Sequence, residues 1–167
     1  MSRRHNRFRR GFTIVEMLIA LAITAMLLTA VAVAFNASMT NYIENGNTFR
    51  SINDARQALS RITTQLRTAI AVNPAAASNE CALIAAGGSD ITYRYNSTNN
   101  TLYLVTNDDA TDSDYVLSEN VSAMTFAKET FIDGSEIKVR SVQISMTVGN
   151  GSVEQKLAAA AVVRKNL

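Results

Sequence analysis

Histidine is nearly missing from this sequence: the 167 residues hold one, His5, inside a short basic block that opens the chain. Beyond that block there is none, which excludes a Ser-His-Asp triad, a Cys-His pair and a His-ligated zinc site from the body of the protein. Cysteine is limited to Cys81, so no intrachain disulfide can form, and that residue reads as a small buried thiol. Gly87-Gly88 lacks the GxxxxGK pattern of a phosphate loop and reads as a plain turn. Acids do cluster at Asp108, Asp109, Asp112 and Asp114, but their spacing fits no standard calcium loop, and a solvated turn is the expectation. The sequence therefore offers no catalytic residue, no metal site and no cofactor.

Charge is also missing over a long stretch. From Phe12 to Phe35 the only ionisable side chain is Glu16, and as a helix this run would span roughly 36 Å, enough to cross a bilayer. Arg3, Arg4, Arg7, Arg9 and Arg10 flank it on one side, whereas the next basic residue on the other is Arg50. That asymmetry predicts a cytoplasmic N-terminus with the bulk of the chain outside. Taking those five arginines from the 16 basic residues leaves 11 against 14 acids, a net of minus 3, so nothing in the body supports binding to nucleic acid.

Past Phe35 the chain turns polar, and helical spacing resumes at Phe49, Ile52, Leu59, Ile62, Leu66 and Ile70, with Ala55 and Ala69 on the same stripe. The poor helix formers Asn45, Gly46 and Asn47 mark an expected interruption, and Pro74 an end, so one long interrupted helix is predicted from Phe12 to about Val72. A loop is expected over Ala75 to Ser89. Strand patterns follow at Ile91 to Tyr95, Thr101 to Thr106, Tyr115 to Leu117, Val121 to Lys128 and Glu136 to Val148, with Asn96 to Asn100 as a hairpin loop. In the longest strand the inward parity, set by Ile137 and Val139, flips before Val142, Ile144, Met146 and Val148, which predicts a bulge between Arg140 and Ser141. Gly149, Asn150 and Gly151 then read as a turn into a closing strand, Val153 to Val163, despite its run of alanines.

The informative constellation lies where Gly11 and Phe12 meet the apolar run, with Glu16 one turn inside it. A carboxylate there costs on the order of 2.5 to 3.5 kcal/mol at a helix centre, less near its end, and needs a partner. Cutting between Gly11 and Phe12 would create one, the new amine of Phe12. Between neighbouring chains the same pair would set axial register.

The segment RRGFTIVEMLIALAIT, Arg9 to Thr24, resembles the prepilin signal of type IV pilins and type II secretion pseudopilins. The likeness rests on the basic leader, Gly11 before the cut, Phe12 after it and Glu16 five residues into the mature chain. It implies cleavage by a prepilin peptidase that also methylates the Phe12 amine. An ordinary secretory signal cut after Ala30-Val31-Ala32 is the alternative, and Glu16 inside the apolar run argues against it. Many pilins carry a proline midway along this run, and this chain has none.

A looser resemblance concerns subtype. NDARQALSRITTQLRTA, Asn53 to Ala69, is similar to the segment with which J-type minor pseudopilins close their long helix. ENVSAMTF, VRSVQISMTV and the C-terminal VVRKNL are similar to later parts of the same subfamily. Major pseudopilins carry a calcium loop near the C-terminus, where this chain offers only Glu154 as an acid. These resemblances imply an α+β, pilin-like fold, a long N-terminal helix packed on an antiparallel β-sheet. The divisions expected are a leader (1–11), a transmembrane and assembly helix (12–35), a periplasmic amphipathic helix (36–72) and a β-rich domain (73–167). The implied role is a non-enzymatic minor pseudopilin of a type II secretion system in the inner membrane, at the pseudopilus tip, with prepilin peptidase and other minor and major pseudopilins as partners. A minor pilin of a type IV pilus or competence system is the nearest alternative, and a membrane-anchored module that never polymerises the next.

Overall fold

The structure, a computed structural model, describes residues 11–108, 111–112, 114–150 and 153–166. The leader arginines, His5, Asp109 and Gly151 lie outside these. The chain divides between Ile43 and Glu44 into two units.

One helix, α1, runs from Ile14 to Thr68. From Ile14 to Phe35 it is apolar on all sides apart from Glu16, and the large side chains from Phe12 to Ile43, Leu18, Leu21 and Leu28 among them, are exposed. A helix apolar all round is suited to lipid rather than water. Asn45, Gly46 and Asn47 do not interrupt α1, contrary to expectation. Propagating a formed helix through three weak residues costs less than nucleating a second one beyond them.

In the second unit α1 buries Ser51, Ala55, Ala58, Leu59, Ile62 and Leu66. The stripe thus differs from the expected one at its start, for Phe49 is 66% exposed. Ser51 takes the core position instead, accepting a hydrogen bond from Asn120 Nδ2 at 3.1 Å. The helix also stops short of Val72. Thr63, Thr64 and Thr68 turn their hydroxyls onto carbonyls one turn back, which weakens a helix end. Ile70 N–H then donates to Ile84 O at 2.8 Å, and the chain enters a sheet well before Pro74.

Where one sheet was expected, two antiparallel sheets follow. The first holds β1 (Ala71–Val72), β2 (Glu80–Ile84), β3 (Asp90–Asn96), β4 (Thr101–Thr106) and β5 (Tyr115–Ser118) in sequential order. The second holds β6 (Val121–Asp133), β7 (Glu136–Asn150) and β8 (Val153–Val162), and a 3-10 turn, Arg164–Asn166, follows. Strand β2 lies inside the expected loop. Its alternation is short, only Cys81 and Leu83 pointing inward, and Ala-rich sequence surrounds it.

The core gathers the α1 stripe, Cys81 and Leu83 of β2, Tyr93 of β3, Leu102 and Leu104 of β4, and the inward faces of β6 and β7. The two sheets are stitched at β6. Phe126 N–H donates to Ser78 O at 2.7 Å, Tyr95 OH to Ser122 O at 3.0 Å, and Lys128 Nζ to the carbonyls of Ala76, Ala77 and Glu80. The expected bulge is present: Glu129 pairs with Ser141 and Thr130 with Val139, leaving Arg140 opposite no residue of β6. Its guanidinium lies 5.2 Å from the Phe131 ring centroid. Val139 and Val142 both point inward across the bulge, but Ile137, expected on that face, is exposed on the hairpin tip. The closing strand β8 forms as expected and pairs with β7 from Asn150↔Val153 to Ser141↔Val162. Gly149 and Asn150 belong to the end of β7 rather than to a turn.

Candidate functional site

Gly11, Phe12 and Thr13 precede the first helical residue, Ile14. Among the described residues, chain neighbours aside, no atom lies within 4 Å of where a Gly11 Cβ would sit, and Phe12 is 83% exposed. Gly11 and Phe12 therefore lie on an exposed, non-helical stretch ahead of α1.

Thr13 caps α1. Its Oγ1 accepts from Glu16 N–H at 3.2 Å, while Glu16 Oε2 accepts from Thr13 N–H at 3.0 Å and from Thr13 Oγ1 at 3.1 Å. This is a reciprocal capping box: threonine at the N-cap and glutamate three residues on satisfy each other's otherwise unpaired groups. Among the described residues Glu16 Oε1 has no partner, so one carboxylate oxygen stays available to a further donor. Thr13 was not singled out from the sequence. The Thr-x-x-Glu spacing ahead of an apolar run was the signal for it.

Among the described residues the acidic cluster does not converge. Asp108 Oδ2 accepts from Asp90 N–H at 2.8 Å, tying the end of β4 to the start of β3, while Asp109 lies outside the described residues. Among the described residues no three His, Cys, Asp or Glu side chains come together. Cys81 is fully buried, as read from the sequence, and burial pushes its thiol up to about 11 although Lys128 beside it acts the other way.

Residues 6–32 match the family described as the prokaryotic N-terminal methylation motif. The chain carries a prepilin-type N-terminus. Over those 27 residues the motif supports a likeness to type IV pilins and pseudopilins, and it implies processing by a prepilin peptidase and assembly with other pilins. The matched span takes in Gly11, Phe12, Thr13, Glu16 and most of the apolar run. The apolar helix of this prepilin-type chain is long enough to anchor it in a membrane. No curated protein and no solved structure matches the chain.

Proposed function

We propose that the chain is cut between Gly11 and Phe12, that the freed Phe12 amine is methylated, and that Glu16 sets subunit register by pairing with that amine on a neighbouring chain. The observation that carries this reading is the state of Glu16: the only charge between Phe12 and Phe35, on an exposed apolar stretch of α1, with one oxygen held by Thr13 and the other without a partner among the described residues. In lipid an open anionic oxygen is expensive, and a positive amine one turn away in sequence, or on an adjacent helix, offsets it.

The role that follows is structural. The chain is a minor pseudopilin of J type, inserted in the inner membrane with residues 36–167 in the periplasm. It joins other minor and major pseudopilins at the tip of a pseudopilus that pushes exported protein outward. The long exposed helix supplies the lateral contact, and the two-sheet domain supplies the surface displayed outside the membrane.

Two substitutions separate the charge from the cap. Glu16→Gln keeps a capping-box side chain but removes the charge, whereas Thr13→Ala removes the cap and keeps the charge. Crosslinking to partner pseudopilins at matched membrane levels is the readout. Loss with Glu16→Gln and retention with Thr13→Ala supports the charge pair. Undiminished crosslinking of Glu16→Gln, with normal secretion, rejects it.

A further inference from the structure

The second sheet ends on β8, and among the described residues no strand pairs with its far side. Its register with β7 runs unbroken from Asn150↔Val153 to Ser141↔Val162, without a bulge. Val163 N–H donates to Arg140 O at 2.9 Å, which puts the odd-numbered residues of β8 in the ladder with β7. Gly149, opposite Glu154, agrees: its N–H goes to Asn120 O at 3.0 Å, away from β8. The N–H and C=O groups of Glu154, Lys156, Ala158, Ala160 and Val162 therefore point to the open edge, and all five residues are exposed.

The other sheet edges are short or covered. Strand β1 is two residues long and β5 four. The outer side of β6 is stitched to the segment before β2, by Phe126 N–H on Ser78 O and by Lys128. Strand β8 has neither protection. Its charges, Glu154 and Lys156, both lie in its first four residues, and from Leu157 to Val162 there is no charge and no proline. Proteins that keep a long edge strand in water guard it with charge, proline or a bulge, since unpaired backbone groups recruit another strand.

We propose that β8 is an acceptor edge, to which an extended segment of a different polypeptide adds as the fourth strand of the second sheet. The side chains around the edge define that segment. Leu157 and Ala159 face the core but are only half-buried, so residues laid opposite them are apolar and extend the core. Ala158 and Ala160 leave room on the outer face for a polar side chain at each alternate position. Just past β8, Arg164 and Lys165 are exposed and form no ion pair among the described residues, so the segment is acidic where it passes them. The β8 strand of a second copy fits less well. Paired antiparallel about Ala159, it sets Ala161 opposite Leu157 and alanine opposite alanine, which buries little apolar area. The edge lies wholly within the second unit, and its use does not depend on the cut at Gly11.

The test uses the full chain in detergent micelles and a labelled, end-capped peptide of alternating valine and threonine that ends in two aspartates, with fluorescence anisotropy as the readout. Saturable binding is expected, with slowed amide exchange at Ala158 and Ala160, whose N–H groups face the edge. Two N-methylated versions carry their methyl groups either on the valines or on the threonines. One should bind about tenfold more weakly, because its methyls face β8 and break the ladder, and the other should bind as the parent does. Lysines in place of the aspartates should weaken binding about threefold. Ala160→Pro removes an edge donor without touching the bonds to β7, and should weaken binding by about tenfold. Ile132→Asp, near the tip of the β6–β7 hairpin and 77% exposed, should not. Absent binding, equal binding of the two N-methylated peptides, undiminished binding of the lysine-ended peptide, or equal loss from Ala160→Pro and Ile132→Asp would overturn the proposal. A dimer of the chain that dissociates in Ala160→Pro and that the peptide fails to displace would also overturn it, in favour of β8 pairing between copies.

Discussion

Thr13 and Glu16 hold each other across the first turn of α1, and both lie on the mature side of the proposed Gly11-Phe12 cut. The capping box therefore outlasts processing. The carboxylate is already oriented when the Phe12 amine is created, and Thr13 fixes which of its oxygens remains open. Thr13→Ala should fray the helix start, at a cost of about 1 kcal/mol. Faster amide exchange at Glu16 and Met17 checks this. Thr13→Ser, which keeps the hydroxyl, should leave exchange unchanged.

Cys81 gives the second unit an alkaline limit. Its folded thiol titrates near 11 against an ordinary 9.0, so between those values the unfolded chain releases a proton that the folded chain keeps. Stability is fully present below pH 9 and falls as pH rises toward 11, by an amount on the order of 2 kcal/mol. Tyr93, pushed up to about 12 by burial, adds a further loss above pH 10. Thermal unfolding from pH 8 to 11 should show a steeper decline in wild type than in Cys81→Ala. Parallel slopes would contradict the assignment.

Gly149 is required by a close approach rather than by its dihedral angles. A Cβ there would lie 2.4 Å from Val153 O, across the end of the β7–β8 hairpin. Gly149→Ala should destabilise the second unit by about 1 to 3 kcal/mol, since backbone must shift to admit the methyl. A fall in its unfolding temperature with the helix signal of the first unit unchanged is the expected result.

Lys128 fastens the segment before β2 and the first residue of β2 to β6 through three carbonyls, at 2.8, 3.0 and 3.0 Å. Partial burial lowers its pKa, the desolvation outweighing the acids nearby. Lys128→Met keeps the stem and removes the donors. It should cost about 1 to 2 kcal/mol, and protease cleavage should appear first between Ala75 and Asn79.

The strands of six residues or more were legible in the sequence, and so was the Arg140 bulge, because a flipped parity leaves a mark that no straight strand can carry. Thr101 to Thr106 matches β4 at both ends. What escaped was decided by tertiary context. Ser51 and Ala58 sit in the helix core where an apolar stripe reading passes over them, and Ser51 is held by Asn120, 69 residues away in sequence. Ala71 and Val72 become a strand only because Ile84 and Leu83 lie beside them. At the N-terminus Gly11, Phe12 and Glu16 stood out as chemistry, while Thr13 was hidden because its role is a hydrogen bond rather than a charge.

The central claim is that the working chain begins at Phe12 with a modified amine. Intact-mass spectrometry of the protein purified from the membrane fraction tests it most directly. The account predicts a mass equal to residues 12–167 plus one methyl group. An intact leader, or a mature start near Val33 as an ordinary secretory signal would leave, would contradict it.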